Sequence, residues 1–474
     1  MIPKRFYAYP LRQLSAMLQL GEVTSLELTE AYLARLETLG PEYNAVVTVT
    51  RDRALDEASN ADGELARKKF RSPLHGIPYG VKDLLAARGY PTTWGAAPYK
   101  TQQFREDSEV VRRLKEAGAI LIAKLSMVEL AGGMGYDRAQ AAFNGPGLNP
   151  WNKMYWSGGS SSGPGAAVAA CLVPFAIGSE TSGSILTPSS FCGVTGLRPT
   201  YGLVSRRGAM ALSWTLDKLG PMARTADDCG MVLAAIAGQD AADPSSLANG
   251  FEWSGPPDPR TVKRRPWRLA VQKGSVEKVQ PAVRANFEQA LAAFGDMAEI
   301  TRDVEWPDLP WGPAVGAIVG AEGASAFLDL IESGGLAQLT CPRDRHAGYA
   351  GAAVTAVDYL QAMRLRGPMK DALNQLFEKY DAIATPGRAS VAYPVHEEFS
   401  KAYPDVSGGP PVIPAGNLCG LPAICIGSGF DKGGLPTSIA FMGPAFSEAS
   451  LITMANDVQT KLRVHEKRPV GIEQ

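Results

Sequence analysis

Two glycine- and serine-rich turns carry the residues with the clearest potential for chemistry. The first turn covers residues 157–163 (SGGSSSG) and the second covers residues 178–184 (GSETSGS). Glycine lets the backbone approach a ligand closely, and consecutive N–H groups in such turns can converge on one negatively charged oxygen. A serine hydroxyl in the same place can attack a carbonyl carbon. Because the intervening segment 166–177 is too apolar for a flexible linker, we predict a folded acyl-transfer site around Ser160 and Ser184.

A serine nucleophile needs a base, and the positions of the histidines direct attention to lysine. Histidine is the usual base, but neither turn contains any of the four histidines: His75, His346, His396 and His465. Lys82 ends a predicted strand over residues 77–82 in which larger apolar residues alternate with small ones. Burial of Lys82 would lower the pKa of its amine, and a neutral amine can accept a proton from serine. Lys124, directly after a predicted strand over residues 119–123, is a second candidate that we expect at a sheet edge or on the surface.

Further motifs surround these residues along nearly the whole chain. Lys82 stands in a GIPxxVKD context over residues 76–83. The other motifs are NPW at 149–151, FCG at 191–193, GLRPT at 196–200, GPMAR at 220–224 and NLCGLPA at 417–423. With these motifs in order, and with the spacing between Ser160 and Ser184, the sequence resembles the amidase signature family.

The resemblance implies an amidohydrolase that cleaves a carboxylic amide, or a related acyl bond, through a serine acyl-enzyme. It implies a Ser-cisSer-Lys triad: Ser184 is the nucleophile, Ser160 follows a cis peptide bond and relays the proton, and Lys82 is the base. Met134 lies where the family places a loop lining the acyl pocket, so Met134 and Ser160 are the expected substrate contacts. No metal or organic cofactor is implied. The N–H groups expected to form the oxyanion hole are those of Thr181, Ser182, Gly183 and Ser184.

Three residues in and after the second turn depart from the family pattern. Glu180 replaces a common aspartate and is one methylene longer, and Ser182 replaces a glycine beside the nucleophile. Leu186 replaces the arginine that commonly follows the Gly-Ser-Ile motif. Because this change removes a cation near the site, Leu186 together with Met127 and Met134 favours aromatic or aliphatic acyl groups over charged ones.

Two other functions stay open from the sequence. Residues 159–163 also match the G-x-S-x-G nucleophile elbow of α/β-hydrolases, with Ser161 central. That fold needs a buried strand before the elbow, and residues 153–156 form a poor one.

The family also includes the glutaminase-type subunit of a tRNA-dependent amidotransferase, which works with a partner. Residues 341–370 lack the tyrosine-rich pattern associated with that subunit, and Leu186 stands in place of the arginine, so a free-standing hydrolase is favoured.

Composition excludes several classes of protein. The 474 residues are 45% hydrophobic with a formal net charge of −1, so the chain can form a large core and has no charge excess for nucleic acid or an anionic membrane. The six cysteines are scattered without a C-x-x-C pair and are expected to be reduced. The N-terminus lacks the apolar stretch of a signal peptide, and the longest apolar run is too short to span a bilayer. We expect a cytoplasmic enzyme acting on a small-molecule amide, and a homodimer stays open as its oligomeric state.

The elements that must position these residues are expected to form one α/β domain over residues 1–474. The succession of strand, helix and strand across residues 77–123 predicts a large mixed β-sheet with helices on both faces, and the whole chain supplies on the order of ten strands or more. Thr24 and Glu27 form a predicted capping box. The expected regions are a mainly helical N-terminal part (1–70), the catalytic signature core (71–235), a helical excursion lining the substrate funnel (240–400) and a return to the sheet (401–474).

Overall fold

Strands and helices alternate through most of the chain. A computed structural model describes residues 5–258, 261–406 and 412–472. The strands are β1 (Val46–Val49), β2 (Pro78–Lys82), β3 (Ile120–Leu125), β4 (Leu148–Asn149), β5 (Asn152–Trp156), β6 (Phe175–Glu180), β7 (Thr195–Arg198), β8 (Lys218–Ala223), β9 (Trp267–Gln272), β10 (Ala298–Val304), β11 (Ala382–Pro386), β12 (Ala423–Phe430) and β13 (Pro436–Met442).

The α-helices differ widely in length, from short single turns to one helix of 24 residues, α12. Their bounds are α1 (Leu11–Leu20), α2 (Ser25–Leu39), α3 (Arg51–Ala66), α4 (Glu109–Glu116), α5 (Ser162–Ala169), α6 (Leu186–Cys192), α7 (Ala226–Ile236), α8 (Pro281–Ala292), α9 (Trp311–Ala326), α10 (Leu328–Glu332), α11 (Asp344–Ala352), α12 (Ala356–Lys379), α13 (Phe399–Ala402), α14 (Val412–Leu418) and α15 (Glu448–Leu462).

Eleven of the strands form one mixed sheet. Their order is β1-β3-β2-β6-β8-β7-β12-β13-β11-β9-β10, and β4 pairs with β5 in a separate two-stranded sheet. In the first half of this order, β2 runs parallel to both β3 and β6, and β6 runs antiparallel to β8. All residues of these four strands are buried, as expected for strands covered on both faces. The predicted fold class, a large mixed α/β sheet with helices, is confirmed.

The N-terminal region shows the predicted capping box at the start of α2. The N–H of Glu27 donates to the Thr24 hydroxyl at 3.0 Å, and the N–H of Thr24 donates to the Glu27 carboxylate at 3.1 Å. This reciprocal pair satisfies two N–H groups that the first helical turn leaves without partners. The region is mainly helical, and it also supplies β1, which pairs with β3 at one edge of the sheet.

The excursion over residues 240–400 is both helical and part of the sheet. It contains helices α8 to α12 and also the strands β9, β10 and β11. Strand β9 lies between β10 and β11 and is parallel to both, so these three strands extend the sheet beyond β13. The prediction of a helical excursion omits β10 and β11, because β10 is mostly exposed and β11 follows directly after the long α12.

Lys124 lies inside the sheet, and the prediction that it occupies an edge or the surface is wrong. It is the fifth residue of β3, which lies between β1 and β2, and its side chain has no exposed area. Its amine is 2.8 Å from a carboxylate oxygen of Asp83, whose side chain is equally buried. The amine also donates to the carbonyl of Pro91 at 2.8 Å. This buried pair therefore fixes the chain directly after Lys82, rather than supplying a second base.

Two further features follow from the described residues. Within them, no helix combines the length and the apolar character needed to cross a membrane. All six cysteines are free and buried.

Candidate active site

Lys82 is the residue around which the site is arranged. It is the last residue of β2, and its side chain has no exposed area. Its amine donates to the hydroxyl of Ser160 at 2.7 Å and to the hydroxyl of Ser179 at 2.9 Å. Burial lowers the pKa of the amine to about 7, although the negative charges of Asp217 and Glu180 act in the opposite direction. Near neutral pH, Lys82 can therefore exchange a proton with a hydroxyl that it already contacts.

The first glycine- and serine-rich turn carries Ser160 to this amine. Gly158 has a φ of 87°, and a Cβ there would lie 2.7 Å from the Cα of Pro188, so only glycine fits. The peptide bond between Gly159 and Ser160 is cis. Ser160 is fully buried, and its carbonyl accepts a hydrogen bond from the N–H of Val128 at 3.0 Å. These contacts fix the turn and direct the Ser160 hydroxyl towards Lys82.

The second turn lies beside the first and presents Ser184. The N–H of Ser161 donates to the carbonyl of Ser184 at 3.2 Å, which joins the two turns. Ser184 is 8% exposed, whereas Ser160 is fully buried, so of the two serines Ser184 is the one that a substrate can reach. Among the described residues, none accepts a hydrogen bond from the N–H groups of residues 181–184. The four N–H groups of residues 181–184 are therefore unused donors in the turn that carries this hydroxyl.

Glu180 holds the second turn in place. One of its oxygens accepts the N–H groups of Ile185 at 2.9 Å and Leu186 at 3.0 Å. The other oxygen accepts the Arg198 guanidinium at 2.8 Å and the Asn417 amide at 2.9 Å. Burial on its own would raise the pKa of Glu180, but Arg198 and these hydrogen bonds lower it to about 2. Glu180 is thus a buried carboxylate that holds the residues after the second turn to Arg198 and Asn417. The longer side chain at this position therefore has a structural role.

Asp217 supports the same turn from the other side. The Thr181 hydroxyl donates to one carboxylate oxygen at 2.6 Å. The other oxygen accepts the N–H groups of Leu212 at 2.8 Å and Ser213 at 2.9 Å. Burial raises the pKa of Asp217, and these hydrogen bonds partly offset that rise. The backbone of residues 181–184 is therefore anchored through Glu180 and through Thr181.

Ser184 opens onto a cavity of about 380 Å³. A larger cavity of about 650 Å³ lies beyond Thr181 and Leu212, which line both cavities, and it reaches Ser179. We assign the substrate to the smaller cavity, because of these two it is the one that Ser184 lines. The backbone of the two turns lines part of it, and aromatic side chains form much of the remaining wall: Tyr136, Trp156, Tyr393 and Phe399.

The residues that depart from the family pattern, and Met134, occupy distinct places. The Ser182 side chain is exposed and lines the cavity, so it does not crowd the turn. Leu186 is 3% exposed and packs in an apolar cluster with Ile413. Met134 is also buried, and it lies against Gly348 of α11. From the Met134 loop, the cavity wall instead takes Ala131, Gly132 and Tyr136.

The geometry does not resemble a nucleophile elbow at Ser161. The hydroxyl of Ser161 donates to the carbonyl of Ser179 at 3.2 Å, and it accepts the N–H of the same residue at 3.3 Å. The strand before the first turn, β5, pairs with β4 outside the large sheet. Among the described residues lining the Ser184 cavity, none is a histidine. A Ser-His-Asp arrangement around Ser161 is therefore not formed.

Sequence reasoning missed two residues that contact the predicted site. Ser179 shares the Lys82 amine with Ser160, and Asp217 binds Thr181. Ser179 lies in the second turn, and a parallel pairing of β2 with β6 would have placed it near Lys82. Asp217 stands directly before β8, and nothing in its sequence context indicates that it contacts Thr181.

Comparison with known proteins gives consistent matches along the chain. A family model described as Amidase matches residues 27–452. A glutamyl-tRNA(Gln) amidotransferase subunit of Methylococcus capsulatus is 34% identical over 498 residues, covering 98% of this chain and 99% of that protein. The structure of native peptide amidase from Stenotrophomonas maltophilia superposes with a TM-score of 0.87 at 30% identity, covering 100% of both chains. The corresponding glutamyl-tRNA(Gln) amidotransferase subunit from Thermotoga maritima superposes with a TM-score of 0.75 at 26% identity, covering 92% of this chain and 91% of that chain.

The hydrogen bond between Thr181 and Asp217 gives a test of how the second turn is positioned. Thr181→Val removes the donor and keeps the shape of the side chain. Since a hydrogen bond to a charged group contributes about 1.5–3 kcal/mol, we expect kcat/KM for an aryl amide to fall roughly 10- to 100-fold. Thr181→Ser keeps the hydroxyl and should stay within about threefold of the wild type. Equal rates for the two variants would show that this bond does not position the turn.

Proposed function

We propose a serine acyl-enzyme mechanism for this chain, which belongs to the amidase family and is an enzyme that hydrolyses carbon–nitrogen amide bonds. The observation that carries the proposal is the contact between the fully buried Lys82 amine and the Ser160 hydroxyl at 2.7 Å, next to the turn that carries Ser184, which is 8% exposed. This arrangement supplies a base and a hydroxyl that can relay a proton, and Ser184, the nucleophile, lines the cavity.

In the first half-reaction, the Ser184 hydroxyl oxygen attacks the carbonyl carbon of the amide. Its proton passes to the Ser160 oxygen, while the Ser160 proton passes to the neutral amine of Lys82. The carbonyl oxygen becomes an oxyanion, and the unused N–H groups of residues 181–184 are the donors that we assign to it. The same relay, run in reverse, protonates the leaving amine as the carbon–nitrogen bond breaks.

In the second half-reaction, water replaces the amine. Lys82, neutral again, takes a proton from water through Ser160, and the resulting hydroxide attacks the acyl carbon. The second oxyanion forms in the same place, and it collapses when the bond to the Ser184 oxygen breaks, while the proton held by Lys82 returns through Ser160 to that oxygen. The products are the carboxylic acid and free Ser184. Every proton transfer uses groups of this chain, so the proposed cycle calls for no metal or organic cofactor.

The enzyme is proposed to act on a small-molecule amide and not on nucleic acid or a membrane. We also propose that it works in the cytoplasm, where its six buried thiols stay reduced. Parts of the excursion line the substrate cavity through Val319, Arg388, Tyr393 and Phe399. This placement supports the proposal that residues 240–400 form part of the substrate funnel.

A glutaminase-type subunit of an amidotransferase is the second candidate function. The relatives from Methylococcus capsulatus and Thermotoga maritima are both named as amidotransferase subunits. The free-standing hydrolase is favoured, because Leu186 fills with an apolar side chain the place where the sequence pattern commonly has an arginine. A peptide amidase also superposes over the full length of both chains.

The lysine base predicts a specific pattern of variants. Lys82→Met should lower kcat/KM for an aryl amide by at least about 10³-fold, because proton transfer loses its acceptor. The free energy of unfolding of this variant should not fall, because methionine fills the same space without burying an amine. The four single alanine variants of the histidines should keep most of the kcat/KM for the aryl amide, provided that thermal unfolding shows that each variant is folded. These histidines are His75, His346, His396 and His465. Loss of the rate in a folded histidine variant, with Lys82→Met still active, would falsify the lysine base.

A free-standing enzyme predicts activity of the purified chain alone. After purification under conditions that remove any associated protein, we expect hydrolysis of a simple aryl anilide with release of the amine. The turnover number of the purified protein should not change when we add a cell extract from which this protein has been removed. Strict dependence on a component of that extract would instead support the amidotransferase role.

A further inference from the structure

Arg388 places a positive charge in the substrate cavity. It follows β11, and among the described residues lining the cavity it is the only one with a charged side chain. Its Nε is buried and has no hydrogen-bond partner in the described part of the chain. No ion pair within 4.0 Å is found between Arg388 and a carboxylate of a described residue. A buried donor without an acceptor is costly, so its presence at a ligand cavity calls for an explanation.

The backbone around Arg388 is held firmly. The N–H of Gly387 donates to the carbonyl of Ser438 at 3.0 Å. On the other side, the N–H of Gln280 donates to the carbonyl of Ala389 at 2.9 Å. These bonds attach the residues on both sides of Arg388 to the sheet and to the start of α8. The guanidinium therefore extends from a fixed base, as expected of a group that is pre-organised for binding.

A second unpartnered donor lines the same cavity. Trp156 is 2% exposed, and its indole N–H is buried without an acceptor among the described residues. The Trp156 ring stacks on Phe399, with ring centroids 4.7 Å apart. The cavity thus combines two unsatisfied N–H donors with an aromatic wall. A ligand that carries hydrogen-bond acceptors and a negative charge complements both features.

Two acidic side chains, Asp344 and Glu129, form no ion pair with Arg388 among the described residues. Arg388 and Asp344 both act electrostatically on the phenol of Tyr136, so they lie in the same neighbourhood. Burial, together with the neighbouring Glu129, raises the pKa of Asp344 to about 9. Burial and Glu129 thus favour the uncharged form of Asp344, and Glu129 already accepts the N–H groups of residues 340 and 341 at 2.9 Å.

Two arginines with little exposed side-chain area differ from Arg388, because each has a carboxylate partner. Arg198, which is fully buried, lies 2.8 Å from the carboxylate of Glu180. Arg53, which is mostly buried, lies 2.8 Å from that of Asp107. Arg388 is partly buried, and its buried Nε has no such partner in the cavity onto which Ser184 opens.

We propose that Arg388 binds a carboxylate of the substrate, so that this enzyme prefers amides carrying a carboxylate over otherwise identical neutral amides. The proposal rests on the proposed function, because it takes the Ser184 cavity as the substrate site. It also changes the expectation drawn from Leu186: the cation missing from the second turn is supplied by another segment of the chain.

A carboxylate fits better than a phosphate. The planar fork of a guanidinium matches the two oxygens of a carboxylate. A phosphate monoester carries about −1.5 to −2 charges at neutral pH, and the described lining of this cavity offers one cation. The carboxylate can belong to the acyl part, as in a dicarboxylic acid monoamide, or to the leaving amine, as in an N-acyl aminobenzoate.

Two pairs of anilides separate these cases, each with its own neutral reference. Glutaric acid mono-p-nitroanilide carries the carboxylate in the acyl part and is compared with butyryl-p-nitroanilide, whereas N-butyryl-4-aminobenzoate carries it in the leaving amine and is compared with butyryl-p-toluidide. We expect the wild type to prefer one of the two acids over its neutral reference by about 10- to 100-fold in kcat/KM, the range for a charge-assisted hydrogen bond. Arg388→Met should lose this preference, and Arg388→Lys should keep part of it. The preferred acid identifies the side of the amide that faces Arg388.

The matched control is Arg302→Met, which removes an arginine that is 51% exposed and pairs with Glu288 at 2.6 Å. This variant should keep the preference of the wild type. The proposal is overturned if the wild type shows no preference for either acid, or if Arg388→Met keeps the preference unchanged. Since the readout is a ratio of two substrates, a partial loss of folded protein cancels.

A binding measurement separates the failure of this proposal from the failure of the proposed function. Calorimetric titration with glutarate and with 4-aminobenzoate does not require catalysis. We expect at least one of the two to bind the wild type and the Arg302→Met variant, and to bind Arg388→Met and Arg388→Gln at least 10-fold more weakly. If no anilide is hydrolysed but this pattern appears, the acyl-enzyme proposal fails and the carboxylate site stands. If the anilides are hydrolysed and neither acid binds in an Arg388-dependent way, the carboxylate site fails alone.

Discussion

A lysine amine enclosed on every side is the constraint on which the rest of the site depends. Moving the pKa of Lys82 from 10.5 to about 7 corresponds to a cost of about 5 kcal/mol for keeping its charge inside the protein. Because the pKa is lower in the folded state, the unfolded chain binds more protons between about pH 7 and 10.5, and the contribution of Lys82 to stability rises with pH across that window. The strands β3, β2, β6 and β8, whose residues are all buried, create this environment. The same burial that weakens the fold near neutral pH makes the amine available as a base.

Around this amine, a buried carboxylate connects segments that are distant in the sequence. Glu180 binds Arg198 from β7 and Asn417 from α14, and it also binds the first N–H groups after the second turn. The second turn therefore has the conformation that presents Ser184 only when three separate motifs are folded together. Thr181 and Asp217 add a further anchor. This arrangement explains why motifs that carry no reactive group accompany the serines and the lysine along the chain.

Much of the fold and the centre of the site could be predicted from local sequence. The context of Lys82 and the two turns specify strand ends and tight turns, and these are properties of a few adjacent residues. Lys124 was placed wrongly, because the burial of a strand residue depends on which strands lie beside it. Ser179 and Asp217 contact the site through pairings between distant segments, which no single stretch of sequence reveals. Arg388 escaped notice for the same reason, because the lack of a partner becomes visible only when every neighbour is known.

The central claim is that the amine at position 82 is uncharged near neutral pH while it contacts a serine hydroxyl. The most direct test is an NMR titration of protein labelled with ¹³C at the lysine Cε atoms, with the spectrum of Lys82→Met identifying the resonance. Our account predicts a midpoint for Lys82 near pH 7. A midpoint near 10.5, the ordinary value for a lysine exposed to water, would contradict it.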